Sequence, residues 1–304
     1  MKNILVVNYS QSGQLNEIID QFLIPFQPET VERLEIFPAK PFVFPWTSDE
    51  FFDKMPECVQ EDTIELQPLR FGAERYDLIV LGYQPWFLSP SLPITSFLKS
   101  PEFKRLASGG TPVVTVIGGR NMWLNSQESI KKLIADAGGK LVGNIPLMDR
   151  VSNLVSAVTI LHWMLTGRKD RKWGIFPKPG VSDEDIQSAS RFGVIVKKAY
   201  DNREYAGLQK EIMATGLINI PTDILFIEGR AKKLFRIWAN LIKTKGTTPE
   251  KRKRLVGFFK YYLLVALFMV APVLVTVYRL LIAPFAANAI KKKKEYFCGV
   301  ETKS

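Results

Sequence analysis

Ile4-Leu5-Val6-Val7-Asn8-Tyr9-Ser10-Gln11-Ser12-Gly13-Gln14 is the stretch that decides the fold. Its uninterrupted apolar start suits a strand buried on both faces of a parallel sheet. A short polar turn follows and leads into a helical stretch over residues 15–26, so the unit reads strand, turn, helix. Ser10 and Ser12 offer hydroxyls, Gly13 lets a ligand approach the backbone, and a helix N-terminus favours an anion. These are the requirements of a phosphate site, although a polar turn that simply caps a helix uses the same residues. The turn holds no lysine or arginine. Neither G-x-x-x-x-G-K-[ST] nor G-x-G-x-x-G occurs, which argues against a nucleoside triphosphatase and a nicotinamide dinucleotide site.

Further apolar runs extend the pattern. Residues 30–37 suggest a second strand, residues 76–82 form the clearest strand of the chain, and residues 112–117 and 141–146 supply two more. Helical stretches near 94–107 and 126–138 lie between them, and residues 38–72, rich in proline and aromatics, read as an excursion. This alternation predicts an α/β fold with a doubly wound parallel five-stranded sheet. Such sheets bind ligands beyond the carboxyl ends of their strands, which directs attention to the loops after strands one, three and four. The third loop holds Tyr83, Gln84, Pro85, Trp86 and Phe87, a proline-stiffened aromatic wall suited to a planar ring or to an aromatic core corner. The fourth holds Gly118, Gly119 and Arg120: backbone donors, and a cation able to stabilise negative charge or to form a surface ion pair.

The two cysteines, Cys58 and Cys298, have neither metal nor redox spacing, which argues against a disulfide framework and fits a reducing compartment. Met1-Lys2-Asn3 runs directly into the first strand with no secretory h-region, so the N-terminal domain is expected in the cytosol. The net charge of +11 divides unevenly: residues 1–150 carry 14 Lys+Arg against 18 Asp+Glu, and residues 151–304 carry 27 against 12. The basic half also holds residues 261–278, eighteen uncharged residues flanked by Lys251-Arg252-Lys253-Arg254 and Lys291-Lys292-Lys293-Lys294. Basic charge beside an apolar run points to an anionic membrane surface, not to nucleic acid. Eighteen residues reach about 27 Å as a helix, the threshold for a span. Bases at both ends conflict with a single crossing, and Pro272 offers a kink, so a re-entrant hairpin or a tilted interfacial anchor competes with a span.

Three segments result: residues 1–150 as the nucleotide-type α/β domain, 151–250 as a helical extension, and 251–304 as a basic-flanked membrane anchor and tail on the cytoplasmic face. Helices are expected near 153–166, 183–200 and 222–243, the last with mixed basic and apolar faces that suit either a membrane surface or ordinary packing. His162, the lone histidine, is a general base by type, yet its apolar helical surroundings are those of a histidine satisfied within a core.

Two resemblances add to this reading. Tyr9-Ser10-Gln11-Ser12-Gly13 and Tyr76-Asp77-Leu78-Ile79-Val80-Leu81-Gly82, running into Pro85-Trp86-Phe87, resemble the phosphate loop, third strand and ring loop of flavodoxins over about residues 1–150. That resemblance implies FMN, with Ser10, Gln11, Ser12, Gly13 and Gln14 at the phosphate and Gln84, Pro85, Trp86, Phe87, Gly118 and Gly119 at the isoalloxazine. Flavodoxins usually carry Thr, Ser or Asn just after the loop glycine. Here Gln14 and Leu15 follow, leaving Asn16 as a substitute donor.

Nearly the whole chain resembles the dialkylresorcinol condensing enzyme family. The resemblance rests on residues 82–93, Gly118-Gly119-Arg120-Asn121-Met122-Trp123, Leu161-His162-Trp163-Met164-Leu165-Thr166-Gly167 and Ile175-Phe176-Pro177-Lys178-Pro179-Gly180. It implies a flavin-dependent oxidoreductase, an aromatase, that turns a lipophilic cyclic dione made by a ketosynthase-like partner into a dialkylresorcinol. Arg120, Tyr83 and His162 are then the catalytic candidates, and no metal is expected. An electron carrier, or a membrane scaffold with a degenerate flavin site, remains as an alternative.

Overall fold

The computed structural model describes residues 3–302; Met1 and Lys2, where the leader-free reading begins, and the last two residues of the tail lie outside it. Five strands, β1 (Ile4–Asn8), β2 (Val31–Glu35), β3 (Leu78–Tyr83), β4 (Pro112–Gly119) and β5 (Lys140–Met148), form one parallel sheet in the order β2-β1-β3-β4-β5. This is the flavodoxin-like doubly wound order, with its topological switch between β1 and β3. In register, Asn8 lies opposite Gly82, and Gly82 opposite Val116. The carboxyl ends of β1, β3 and β4 therefore emerge side by side, and their loops converge.

Helix α1 (Gln14–Leu23) follows β1. The excursion folds into two short helices, α2 (Ser48–Asp53) and α3 (Met55–Gln60), the former opened by a capping box between Thr47 and Glu50. The helical stretch expected near 94–107 is two helices, α4 (Leu92–Leu98) and α5 (Pro101–Ala107). Ser100 accepts from the Phe103 N–H at 3.1 Å and Pro101 takes the first helical position, which restarts the chain there. Helices α6 (Leu124–Asp136), α7 (Asn153–Thr166), α8 (Asp183–Asp201), α9 (Leu208–Ala214) and α10 (Thr222–Lys245) complete the body. They are followed by α11 (Pro249–Ile282) and α12 (Ala287–Cys298).

The core does not stop at residue 150. On one sheet face, Leu15, Ile18 and Phe22 of α1 pack with Ile186, Phe192 and Val196 of α8 and with Leu208 and Ile212 of α9. The helix that closes this face thus comes from the segment read as an extension. The two helices meet backbone to side at Gly193, where a Cβ would stand 2.0 Å from the Phe22 carbonyl oxygen. The opposite face is covered by α4, α5 and α6, with Ile224 and Leu225 of α10 at its margin.

Helix α11 is continuous through Pro272, with π-helical turns at Ala266–Val270 and Tyr278–Ile282 that absorb the irregularity. It runs back along α10 as the second arm of a helical hairpin. Phe259 is fully buried against Phe52, Phe235 and Trp238, and Tyr278 stacks on Phe226 at 4.1 Å. After a turn, α12 returns to the body: Gln209 Nε2 donates to the Cys298 carbonyl at 2.6 Å, and the Tyr296 hydroxyl donates to Glu128 at 2.7 Å.

Candidate functional site

A cavity of about 460 Å³ opens where the three loops converge. Gln11, Ser12 and Gln14 line it from the first loop, residues 84–88 from the third, and Gly118, Gly119 and Arg120 from the fourth. Its far end is apolar and is walled by α7, α10 and α11. The volume is that of a site for a drug-sized ligand.

At the polar end the donors are mostly main-chain. Gly13, at φ +83°, turns the chain into α1, and the N–H groups of Ser12, Gly13 and Gln14 have no backbone acceptor among the described residues. The Ser12 hydroxyl is likewise without a partner there, whereas Ser10 Oγ accepts from the Leu15 N–H at 3.2 Å and serves as a cap. Gln14 does not present its amide to the cavity: Oε1 accepts from Val181 N and Nε2 donates to Val181 O, both at 2.9 Å. Asn16 is also engaged, accepting from Asn8 at 2.7 Å and donating to Glu35 at 3.1 Å, so it is not the substitute donor that its position suggested. Ser12 and three backbone N–H groups at a helix start still match an uncrowded, neutral-donor phosphate site.

The ring loop is held under strain. Pro85–Trp86 pairs antiparallel with Ser89–Pro90, and the two residues of the turn, Phe87 and Leu88, both have positive φ, at 48° and 63°. Bulky side chains rarely adopt that conformation. Lys232, buried on α10, fixes it by donating to the Leu88 carbonyl at 3.0 Å and to Ser89 Oγ at 2.6 Å. Burial lowers the pKa of that ammonium, and Glu61, 3.6 Å away, opposes the shift. Gln84 Oε1 accepts from the Gln11 N–H at 3.0 Å and ties the ring loop to the first loop. Trp86 stands inside an aromatic cage, edge-to-face with Tyr9, Phe42 and Trp46 at 5.8, 5.3 and 5.7 Å. Phe42 and Trp46 come from the excursion, which therefore forms part of the site. Gly119 has to be small, since a Cβ there would meet Pro85 at 3.1 Å.

Arg120 lines the cavity. Its Nη2 donates to the carbonyl and side-chain oxygens of Asn153 at 2.9 and 2.7 Å, and its Nε to Ser156 Oγ at 3.1 Å. Both N–H groups of Nη1 are without a partner among the described residues. Burial lowers the guanidinium to about 10, with Asp149 and Glu228 pulling it back up. Behind the site, Glu228 on α10 accepts from the Asn125 N–H at 2.7 Å and from the Asn125 side chain at 3.2 Å, capping α6. Burial raises this carboxyl from 4.5 to about 7.

The other two catalytic candidates lie elsewhere. Tyr83 is fully buried, outside the cavity lining, and its hydroxyl donates to Gln127 at 2.7 Å; its side chain points into the core because the strand alternates. His162 lies on α7 between the cavity-lining Leu161 and Trp163, but its own ring turns away and meets Asp170 at 2.8 Å. Lys232, Glu228, Phe42 and Trp46 are the site residues that the sequence reading passed over. The aromatic density of residues 42–52 was the available signal for two of them.

A flavodoxin-like sheet with a neutral-donor anion loop, an aromatic ring loop and an adjoining apolar cavity defines the class of binding site. Against known proteins, no family model and no curated sequence matches. Solved structures with partial likeness include a flavoprotein in complex with FMN from Lactobacillus acidophilus NCFM, at 18% identity and TM-score 0.37, covering 48% of this chain and 93% of that one. A putative flavoprotein from Bacteroides uniformis ATCC 8492 gives 19% and 0.38, covering 54% and 97%. One from Bacteroides eggerthii DSM 20697 gives 17% and 0.38, covering 48% and 89%.

Proposed function

We propose that this chain is an FMN-dependent oxidoreductase that aromatises a lipophilic cyclic dione to a dialkylresorcinol at the cytoplasmic face of a membrane, downstream of a ketosynthase-like partner. The observation that carries the reading is the single cavity joining the three switch-point loops to an apolar chamber. An electron carrier needs no such chamber, which favours an organic substrate over the carrier alternative.

The residues present fit FMN: the Ser12 hydroxyl and the N–H groups of Ser12, Gly13 and Gln14 suit its phosphate, while Pro85, Trp86 and Gly119 suit its ring. When bound, FMN supplies the acceptor for two electrons. The chain's own residues do the rest. Arg120, through its unmatched Nη1 donors, holds the dione as its enolate. Loss of a proton from the ring carbon beside a carbonyl, and of a hydride from the next carbon, turns the dione into an ene-dione, a keto tautomer of the resorcinol. The ring proton lost with that hydride passes to solvent at the open end of the cavity, and His162, outside the cavity, takes no part. The cage of Phe42, Trp46 and Trp86 keeps water from the reacting ring, and the apolar walls of α7, α10 and α11 take the alkyl tails.

The test is the absorbance spectrum of detergent-purified protein, with the released cofactor identified by mass. A flavin band with an FMN mass, lost in Trp86→Ala, is expected. A colourless protein that takes up no added FMN refutes the proposal and leaves the scaffold alternative.

A further inference from the structure

We infer that α11 lies flat in the cytoplasmic leaflet as an in-plane anchor, not a span, and that its inner side forms the mouth through which a lipid-borne substrate passes directly from the bilayer into the cavity. The inference deepens the proposed function and rests on its membrane reading.

The topology follows from what holds the helix at its ends. Near its start, Arg252 donates to Asp53 at 2.5 Å and to Glu57 at 3.0 Å. Near its end, Arg279 pairs with Asp223 at 2.7 Å. A helix of 34 residues is about 51 Å long, against a hydrocarbon core of about 30 Å. If it crossed the bilayer, a body attached at both ends would have to follow it in, carrying the Arg279–Asp223 pair into hydrocarbon at high cost. The unattached middle is nonetheless apolar, and only 6% of its most apolar 18-residue stretch is buried. A helix whose inner side packs on α10 and whose outer side is apolar, seated in the interface with basic residues at both ends, meets both conditions.

The occupant of the exposed face is an anionic lipid leaflet. Lys251, Lys253 and Arg254 at one end and residues 291–294 just beyond the other supply positive charge at both ends of one apolar strip, the charge pattern of a surface helix. The mouth is marked by residues that line the cavity and are exposed at the same time: Leu234 of α10 at 42%, and Val265, Val270 and Leu274 of α11 at 51%, 46% and 47%. The outer surface that would meet acyl chains therefore continues into the wall of the chamber, and a two-tailed substrate need not cross water to reach the ring loop.

The experiment uses the full chain in a Cys298→Ser background, where the remaining Cys58 is fully buried and out of reach of the label, with one exposed cysteine added at a time: Phe258→Cys, Met269→Cys or Leu280→Cys. Each is labelled with bimane and reconstituted on phosphatidylglycerol-containing vesicles carrying shallow or deep nitroxide lipids. All three labels are expected at one shallow depth, about 5–10 Å below the headgroups. Met269 at the midplane with the other two at the surface would overturn the in-plane anchor. Quenching at none of them would overturn it together with the membrane reading, while the FMN spectrum would still stand or fall by itself. For the mouth, Leu274→Trp is expected to weaken binding of 4-hexylresorcinol about tenfold by calorimetry, as filling a packed channel does, and to leave FMN content unchanged. Equal affinity in the two proteins would refute the mouth.

Discussion

Replacing Glu228 with glutamine tests the electrostatics behind the cavity. The carboxyl is fully buried, and its rise from 4.5 to about 7 comes first from that burial, opposed by the N–H groups of Asn125 and Leu124 and by Lys232. A carboxyl with a raised folded-state pKa binds its proton more tightly when folded. Stability therefore falls as pH climbs from about 4.5 to 7, and the full penalty persists above that range. The displacement corresponds to about 3 kcal/mol. Glu228→Gln keeps an oxygen for the Asn125 N–H and cannot ionise. Relative to the parent, the variant should gain about 2.5 kcal/mol between pH 5 and pH 8, or roughly 5–10 °C in Tm for a domain of this size. Thermal unfolding followed by circular dichroism in mild detergent reads the difference. Parallel pH profiles for the two proteins would refute the reasoning.

Two further substitutions probe other contacts. Gly193→Ala sets a methyl against the Phe22 carbonyl, so α1 and α8 must part; the strain, about 1–3 kcal/mol, exceeds the roughly 1 kcal/mol that alanine returns as a helix former. A lower urea midpoint is expected, and a raised one would show that the helices are not in backbone contact. Lys232→Met leaves the Leu88 carbonyl and Ser89 hydroxyl without their donor, costing about 1–3 kcal/mol. FMN titrated by its fluorescence should bind about tenfold more weakly, and unchanged affinity with reduced stability would restrict Lys232 to a purely structural part.

Much of the sheet was legible in the sequence because buried parallel strands are plain apolar runs. All five strands fall within two or three residues of their expected bounds, as do α7, α8 and α10. Three things were not legible. The pairing of α8 with α1 depends on Gly193 meeting a backbone 171 positions away, and no local pattern carries that. The excursion looked irregular because its short helices are set by caps and aromatic contacts, not by periodicity. Side-chain direction misled at Tyr83 and His162: residue type suggested chemistry, while strand alternation and helix phase turned both away from the cavity. Gln14, Gly118, Gly119 and Arg120 do line the cavity, yet the Gln14 amide is spent on Val181, a contact only the tertiary structure provides.

The late position of α8 in the chain affects how the protein is made. Until residue 201 has left the ribosome, the sheet face formed by β1, β3, β4 and β5 lacks α8, and Ile18 and Phe22 have no partner on their outer side. At about 5–20 residues per second, the interval between the end of β5 and Asp201 lasts roughly 3–11 s. A nascent chain with that much apolar surface uncovered is a client for chaperones, and a fragment cut at residue 150 should precipitate where one ending after Ile220 stays dispersed.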